Sequence, residues 1–248
     1  MYRFFVSKEA FEDEVVKITG SDFNHISHSL RLKVGDRLVV NNGDGLDYIV
    51  EIDGFDENTV FAVIKGFQEN RSEPSINISL AQALPKKGNM ELIIQKCTEI
   101  GISKIIPIST ERTIVKLEEK KQEKKIIRWQ KIAEEAAKQS RRGKIPSIEG
   151  VCRLRELYGS FPAYDLVLIP WEEEEKKGFR SVWQGIKKRP QDILIIIGPE
   201  GGFSAAEIES VKQHGGIPIT LGPRIFRTET AGFVALITVL YQAGELGG

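Results

Sequence analysis

Cysteine is nearly missing from this chain. Two occur in 248 residues, Cys97 and Cys152, far apart and neither in a C-x-x-C pair. That excludes a disulfide framework and a cysteine-built metal site. Histidine is almost as scarce, with three residues, and none stands in a metal-ligand cluster. No metal is therefore expected. Excess charge is missing too: 35 Lys+Arg offset 35 Asp+Glu, so bulk charge names no partner. Apolar runs are strand-sized, and no membrane span is expected. The opening "MYRFFVSKEAFEDE" reaches its acids before any apolar core of signal-peptide length, and a reduced, cytoplasmic protein is the expectation. Finally, neither G-x-x-x-x-G-K-[ST] nor G-x-G-x-x-G occurs, which argues against a nucleotide-phosphate enzyme.

The residues present divide in two. "DRLVVNNGDGLDYIVEIDGF" holds two β-rich runs separated by Asn-Gly and Asp-Gly turn chemistry, and "NTVFAVIKGF" reads as another strand. "SDFNHISHSLRLKVGD" ahead of them suits a short helix. Residues 1–70 thus read as a small β-barrel-like module. The polar, aperiodic "QENRSEPS" places a boundary at residues 68–75, and a second domain over 74–248. There strands and helices alternate. "INISLAQAL", "KIIPIST", "YDLVLIP", "DILIIIGP" and "GIPITLG" read as strands. "NMELIIQKCTEIG", a long Lys/Glu-rich segment, "SAAEIESVKQHGG" and "TETAGFVALITVLYQAGEL" read as helices. Ser204 and Glu207 form a capping box, and Gly101 sits at a helix C-cap position. Such alternation means an α/β domain with a mostly parallel sheet.

Ligands of open parallel sheets sit at the carboxyl ends of strands. Three turns fall there: Ile169-Pro170, Gly198 to Gly202, and Leu221 to Arg227. Glycines let a ligand approach the backbone closely. Gly201, Gly202 and Ser204 lead into a helix whose free amides favour polar groups. Glu200 would repel a phosphate, so the second turn suits a cationic or hydrogen-bond-donating ligand. "LGPRIFRTETA" concentrates Arg224, Arg227, Thr228, Glu229 and Thr230, more polarity than a plain connection requires.

"IIIGPEGGFSAAEIE" followed by "LGPRIFRTETA" resembles the RsmE family of ribosomal RNA methyltransferases. "HISHSLRLKVGD", "KKGNMELIIQKCTEIGISKIIPISTERT" and "RWQKIAEEAAKQSRRGKIPSI" resemble further signatures of that family, in order along nearly the whole chain. Two departures stand out: Phe226 replaces a common aliphatic residue, and "WEEEEKKGF" after Pro170 is unusually acidic. The resemblance implies a SPOUT α/β domain with a C-terminal trefoil knot, preceded by a PUA-like β-barrel, in a homodimer. It implies S-adenosylmethionine as cofactor and N3 of one uridine in the decoding region of 16S rRNA, within the small ribosomal subunit, as the methylated atom. The cofactor pocket would then be lined by Leu168, Ile169, Pro170, Ile197 and Gly198, by Glu200, Gly201 and Gly202, and by Leu221, Gly222, Ile225, Arg227, Thr228 and Ala231. The last helix, with Phe233, Val234, Leu236, Ile237, Leu240 and Tyr241, would be shared between core and dimer contact. A SPOUT enzyme acting on tRNA or another rRNA site, and an inactive PUA-like RNA-binding protein, are the competing readings.

Methylating N3 of uracil requires loss of the N3 proton and stabilisation of the resulting anion. Arg227, always charged and planar, is the candidate for the anion. Glu229 is the candidate to accept the proton or to orient Arg227, although a carboxylate there also suits a helix N-terminus. His214 ends a helix and reads as a cap partner. For RNA contact the candidates are Arg3, His25 and Arg31 in the first module, with Lys138, Arg141 and Arg142 at the end of the basic segment 116–144. The first half of that segment reads equally well as a solvated helix with i,i+4 pairs. Residues 1–70 carry more acid than base, which is awkward for an RNA binder.

Overall fold

A computed structural model describes residues 1–115 and 119–247, and the side chains at 87, 119 and 120 lie outside that description. Residues 116–118 of the basic segment therefore fall outside the described residues. The chain divides into two compact units. The first is Met1–Glu73 together with Ala137–Ile145, and the second is Pro74–Ala136 with Pro146–Gly248. The sequence boundary near residue 70 is close, but the stretch 137–145 belongs with the first unit.

The first unit contains β1 (Arg3–Phe5), β2 (Phe11–Glu12), β3 (Val15–Thr19), α1 (Gly20–Asn24), β4 (Arg37–Asn41), β5 (Leu46–Phe55) and β6 (Thr59–Glu69). They form one mixed sheet in the order β1-β4-β5-β6-β3-β2. Register shifts between β5 and β6 at Ile49/Val50 and Ile52/Gly54 bend it into a half-barrel. The expected short helix is one α turn, α1, followed by one π turn over His25–Ser29. Alternate residues of four strands point inward, giving a core of Val16, Ile18, Leu38, Val40, Val50, Ile52, Val60 and Ala62, closed by Phe4, Phe23 and Ile26.

A polar network is anchored in this unit. The Arg3 guanidinium grips the Asp47 carboxylate, with Nη2 to Oδ2 at 2.8 Å. Asn70 Nδ2 donates to Asp47 Oδ1 at 2.9 Å, and Asn41 Nδ2 approaches the same oxygen at 3.4 Å. Burial alone would raise the Asp47 carboxyl. The hydrogen bonds from Arg3, Asn70 and Asn41 outweigh it and hold the group below its ordinary value. A carboxyl depressed in the folded state adds stability that is complete above its unfolded value of about 4 and is lost as pH falls through the folded value. Urea midpoints measured from about pH 7 down to about pH 3 should therefore fall more steeply for the parent than for Asp47→Asn. Parallel curves would contradict this role.

The second unit holds β7 (Asn77–Ala83), α2 (Asn89–Ile100), β8 (Lys104–Ser109), most of α3 (Glu119–Gln139), β9 (Ser147–Ile148), β10 (Cys152–Arg153), β11 (Leu166–Pro170), α4 (Phe179–Gln184), β12 (Asp192–Ile197), α5 (Ala205–Gln213), β13 (Ile217–Ile219) and α6 (Thr228–Gln242). All strand pairings are parallel, in the order β10-β8-β7-β12-β11-β13, with β9 beside β8. Central strands of such a sheet are covered on both faces and read as unbroken apolar runs. Ile193 to Ile197 accordingly are all buried. The strand order reverses direction between β7 and β12, which sets a switch point at their carboxyl ends. Arg3 with Phe4 and Phe5, readable in sequence as the start of a first strand, form β1; the short strands β2, β9 and β10, and α4, carry too few residues to show a period, and sequence reading misses them along with β3.

Gly101 closes α2 at φ 121°, the conformation a C-cap glycine supplies. A β-carbon there would meet Pro74 at 2.9 Å, so this glycine also admits the chain at the start of the unit. Along α6, Ala235, Leu236, Val239 and Leu240 are buried, and the helix packs on α2, β7 and β12. Ile237 and Tyr241, one turn apart, remain exposed.

Candidate active site

A cavity of about 990 Å³ opens at the carboxyl ends of β11, β12 and β13. Three loops wall it: Pro170 onward, Gly198 to Phe203, and Thr220 to Arg227, with the first turn of α6 beneath. Its volume is at the top of the range of small-molecule sites, about 300–1,000 Å³.

Local contacts explain the loop shapes. Gly198 has no room for a side chain, because a β-carbon would lie 2.9 Å from the ring of Phe203, itself buried. Gly202 has φ +67°, and a β-carbon there would meet Glu172 Oε1 at 2.9 Å. Gly222, at φ +109°, faces open space, so here the backbone conformation alone requires glycine. The capping box of Ser204 with Glu207 starts α5 as expected. The Glu207 carboxylate also accepts from Glu111 N at 2.8 Å, tying the loop after β8 to this one. Arg112 Nη1 donates to Gly201 O at 2.9 Å in the same seam.

Thr228 is buried at the start of α6. Its hydroxyl donates to Gly198 O at 2.6 Å and accepts from Gln82 Nε2 at 2.8 Å. A central strand, the glycine loop and the final helix are thus joined by two hydrogen bonds. Glu200 accepts from Lys86 N at 2.8 Å and so clasps the loop after β7. Its role is at least partly structural.

Most of the expected cofactor residues line this one cavity: Pro170, Ile197, Gly198, Glu200 and Gly202, then Leu221, Gly222, Ile225, Arg227, Thr228 and Ala231. Glu229 lines it too. Three expected residues do not. Leu168 and Ile169 are strand residues 1% and 0% exposed, packed into the sheet's own layers. Gly201 turns outward against Arg112. Sequence reading missed Trp171, Phe203 and the acids Glu172, Glu174 and Glu175 on the wall. The run "WEEEE" was a visible signal, since it supplies four of the cavity's lining residues, Trp171, Glu172, Glu174 and Glu175. Arg227 is exposed at the N-cap of α6, and Glu229 lies in its first turn, where the helix dipole favours a carboxylate.

The cysteines take no part. Burial pushes the Cys97 thiol far up, and burial with the nearby Glu156 charge pushes Cys152 up to about 11. Neither forms the thiolate a nucleophile needs. His214 is the C-cap of α5, with Nδ1 2.7 Å from Ser210 O and its ring stacked on Tyr158. Among the described residues no cluster of His, Cys, Asp and Glu is arranged to hold a metal, and no helix is long and apolar enough to cross a membrane.

The expected RNA-facing residues all fall in the first unit, and they separate into two groups. His25 and Arg31 are exposed, His25 with its ring edge-on to Phe4. Arg141 is exposed as well. The other three have their charge engaged inside the fold. Arg3 binds Asp47. Lys138 pairs with Asp22 at 3.2 Å. Arg142 is 3% exposed and pairs with Glu73, Nη2 to Oε2 at 2.7 Å. Assigning Arg142 to a phosphate-contacting surface is therefore incorrect. Its partner lies 69 residues away in sequence, which no local pattern reveals.

The family described as RNA methyltransferase domain matches residues 71–240, and that described as RNA methyltransferase PUA domain matches residues 18–65. The ribosomal RNA small subunit methyltransferase E of Bacillus subtilis is 37% identical, with 100% of this chain and 99% of that protein covered. A putative methyltransferase from Legionella pneumophila, solved in complex with bound S-adenosylmethionine, is 33% identical with a TM-score of 0.83, covering 96% of each chain. The ribosomal RNA small subunit methyltransferase E of Neisseria gonorrhoeae, solved bound to S-adenosyl methionine, is 26% identical with a TM-score of 0.85 and 97% of each chain covered. Fold and cavity together define an RNA methyltransferase of the SPOUT class with a PUA-like first domain. Within that class the chain belongs to the ribosomal RNA small subunit methyltransferase E family.

Proposed function

We propose that this protein transfers a methyl group from S-adenosylmethionine to N3 of one uridine in the decoding region of 16S rRNA. The substrate is the assembled small subunit, and the enzyme acts in the cytoplasm as a homodimer. The observation that carries the reading is the convergence of Arg227 and Glu229 on one glycine-walled cavity at the carboxyl ends of β11, β12 and β13.

The residues present fit the cofactor. Ile197, Leu221 and Phe226 offer apolar walls for a flat adenine ring, and the bare backbone at Gly198, Gly202 and Gly222 allows close approach. Glu172, Glu174 and Glu175 suit its positive groups. When bound, the cofactor supplies an electrophilic methyl group on a sulfonium. The chain's own residues do the rest. The Arg227 guanidinium stabilises the anion that uracil becomes as its N3 proton leaves. The Glu229 carboxylate takes that proton or aligns Arg227 for its task. Thr228, fastened to Gly198 and Gln82, fixes the start of α6 so that both neighbours stay at the rim.

The exposed apolar pair Ile237 and Tyr241, on a helix that buries Ala235, Leu236, Val239 and Leu240 on its other side, supports a dimer face on α6. The chain path supports the knot. After β13 joins the outer side of β11, residues 220–227 return and α6 lands on the central strands β7 and β12. Titration calorimetry tests the ligand class. S-adenosylmethionine should bind, and ATP should not, because five carboxylates line the cavity, at Glu172, Glu174, Glu175, Glu200 and Glu229. ATP binding as tight as the cofactor's would contradict the assignment.

A further inference from the structure

Among the described residues, three other than glycine have φ in the left-handed region: Asp13, Arg31 and Arg141. Two of the three are exposed arginines of the first unit. Left-handed backbone disfavours a residue with a β-carbon, and a plain bend would be better served by glycine or asparagine. Arg141 has φ 60° and its surroundings enforce it. Its carbonyl accepts from Ser72 Oγ at 2.8 Å and from Asn70 Nδ2 at 3.3 Å. Immediately after it, one carboxylate gathers the chain. Glu73 Oε1 accepts from Arg142 Nε at 3.1 Å, Gly143 N at 2.8 Å and Lys144 N at 3.0 Å, while Oε2 accepts from Arg142 Nη2 at 2.7 Å. Gly143 is itself packed so that a β-carbon would meet Asn70 at 2.8 Å. Between these clamps the Arg141 side chain stands in solvent, and it has no acidic partner among the described residues.

Strain maintained by so many contacts is a mark of function when the strained side chain is left free. We propose that Glu73 is a positioning residue for RNA: it folds the 141–144 bend so that the Arg141 guanidinium is presented to an RNA phosphate. The proposal rests on the reading that RNA is the substrate. It gives the acidic first unit a local cationic point where Arg3, Lys138 and Arg142 are already neutralised by Asp47, Asp22 and Glu73.

The test uses the full-length protein, small ribosomal subunits carrying unmethylated 16S rRNA as probe, and affinities measured over a salt series. Arg141→Gly relieves the backbone, so it should melt no lower than the parent and bind the cofactor equally well. Its RNA affinity should fall about tenfold, and the slope of log affinity against log salt should become shallower by about one, as expected for one lost phosphate contact. Arg141→Lys should restore the slope and part of the affinity. Glu73→Ala should lose the same slope, and adding it to Arg141→Gly should cost no further RNA affinity, because the two act through one group. Unchanged RNA binding by Arg141→Gly would overturn the proposal. So would additive losses in the double variant, or a lower melting temperature for Glu73→Ala with the parent's salt slope. Failure of the parent itself to bind the RNA would instead strike the underlying RNA reading.

Discussion

Arg227→Ala should lower turnover by about 10²–10³-fold, the usual cost of removing one group that stabilises a developing anion. The loss should fall on kcat, with the cofactor's affinity changed by less than about threefold, a small share of the turnover effect. The reason lies in placement. Arg227 is exposed at the N-cap of α6, on the cavity's rim, while Ile197 and Gly198 form the inner wall. Arg227→Lys should recover only part of the rate, because an ammonium keeps the charge but not the planar fork. Single-turnover rates with saturating cofactor check this. A variant with the parent's turnover and a weakened cofactor would make Arg227 a binding residue and leave the anion without its candidate partner.

Arg142→Ala should be the most damaging substitution for stability among the residues discussed. Arg142 is buried and Glu73 is largely covered, with side-chain exposures of 3% and 12%. Removing one partner of such a pair strands the other and costs about 3–5 kcal/mol. The lower end applies, since Glu73 keeps its contacts with Gly143 N and Lys144 N. A loss of about 3 kcal/mol lowers the melting temperature by roughly 10 °C in a chain of this size. Thermal unfolding monitored by circular dichroism gives the answer. A variant as stable as the parent would mean that Glu73 finds equal partners without Arg142, and the clasp would lose its centre.

Arg142 also shows where sequence reading stops. Its neighbour Arg141 is exposed and suits the cationic role expected of both. The chain turns between them, and the second arginine enters the fold to meet a carboxylate that belongs to another stretch of sequence. Charge type is legible locally, whereas its use depends on non-local pairing. The same limit applies to Leu168 and Ile169. Adjacent Pro170 lines the cavity, but these two are covered because a central parallel strand is buried on both faces until it ends. Features governed by local physics were readable. The Ser204–Glu207 capping box, the Gly101 C-cap and the glycine turns at three strand ends all depend on residues a few positions apart. The boundary near residue 70 was readable from composition. The return of 137–145 to the first unit was not, because its helix pattern continues without a break from the second.

The acidic wall follows the same division. "WEEEE" is conspicuous in sequence, but only the fold places Glu172, Glu174 and Glu175 on the cavity, with Glu172 against Gly202. Glu174 additionally accepts from Lys176 N and Lys177 N, which shapes its own loop and keeps its carboxyl below the ordinary value.

The central claim is tested most directly by supplying labelled S-adenosylmethionine to unmodified small ribosomal subunits, beside naked 16S rRNA and bulk tRNA, and mapping the methylated base. Label at N3 of a single 16S uridine in the subunits is the predicted result, and it should vanish with Arg227→Ala. Label confined to tRNA, or at a different atom, would contradict the assignment while leaving the fold and the cofactor in place.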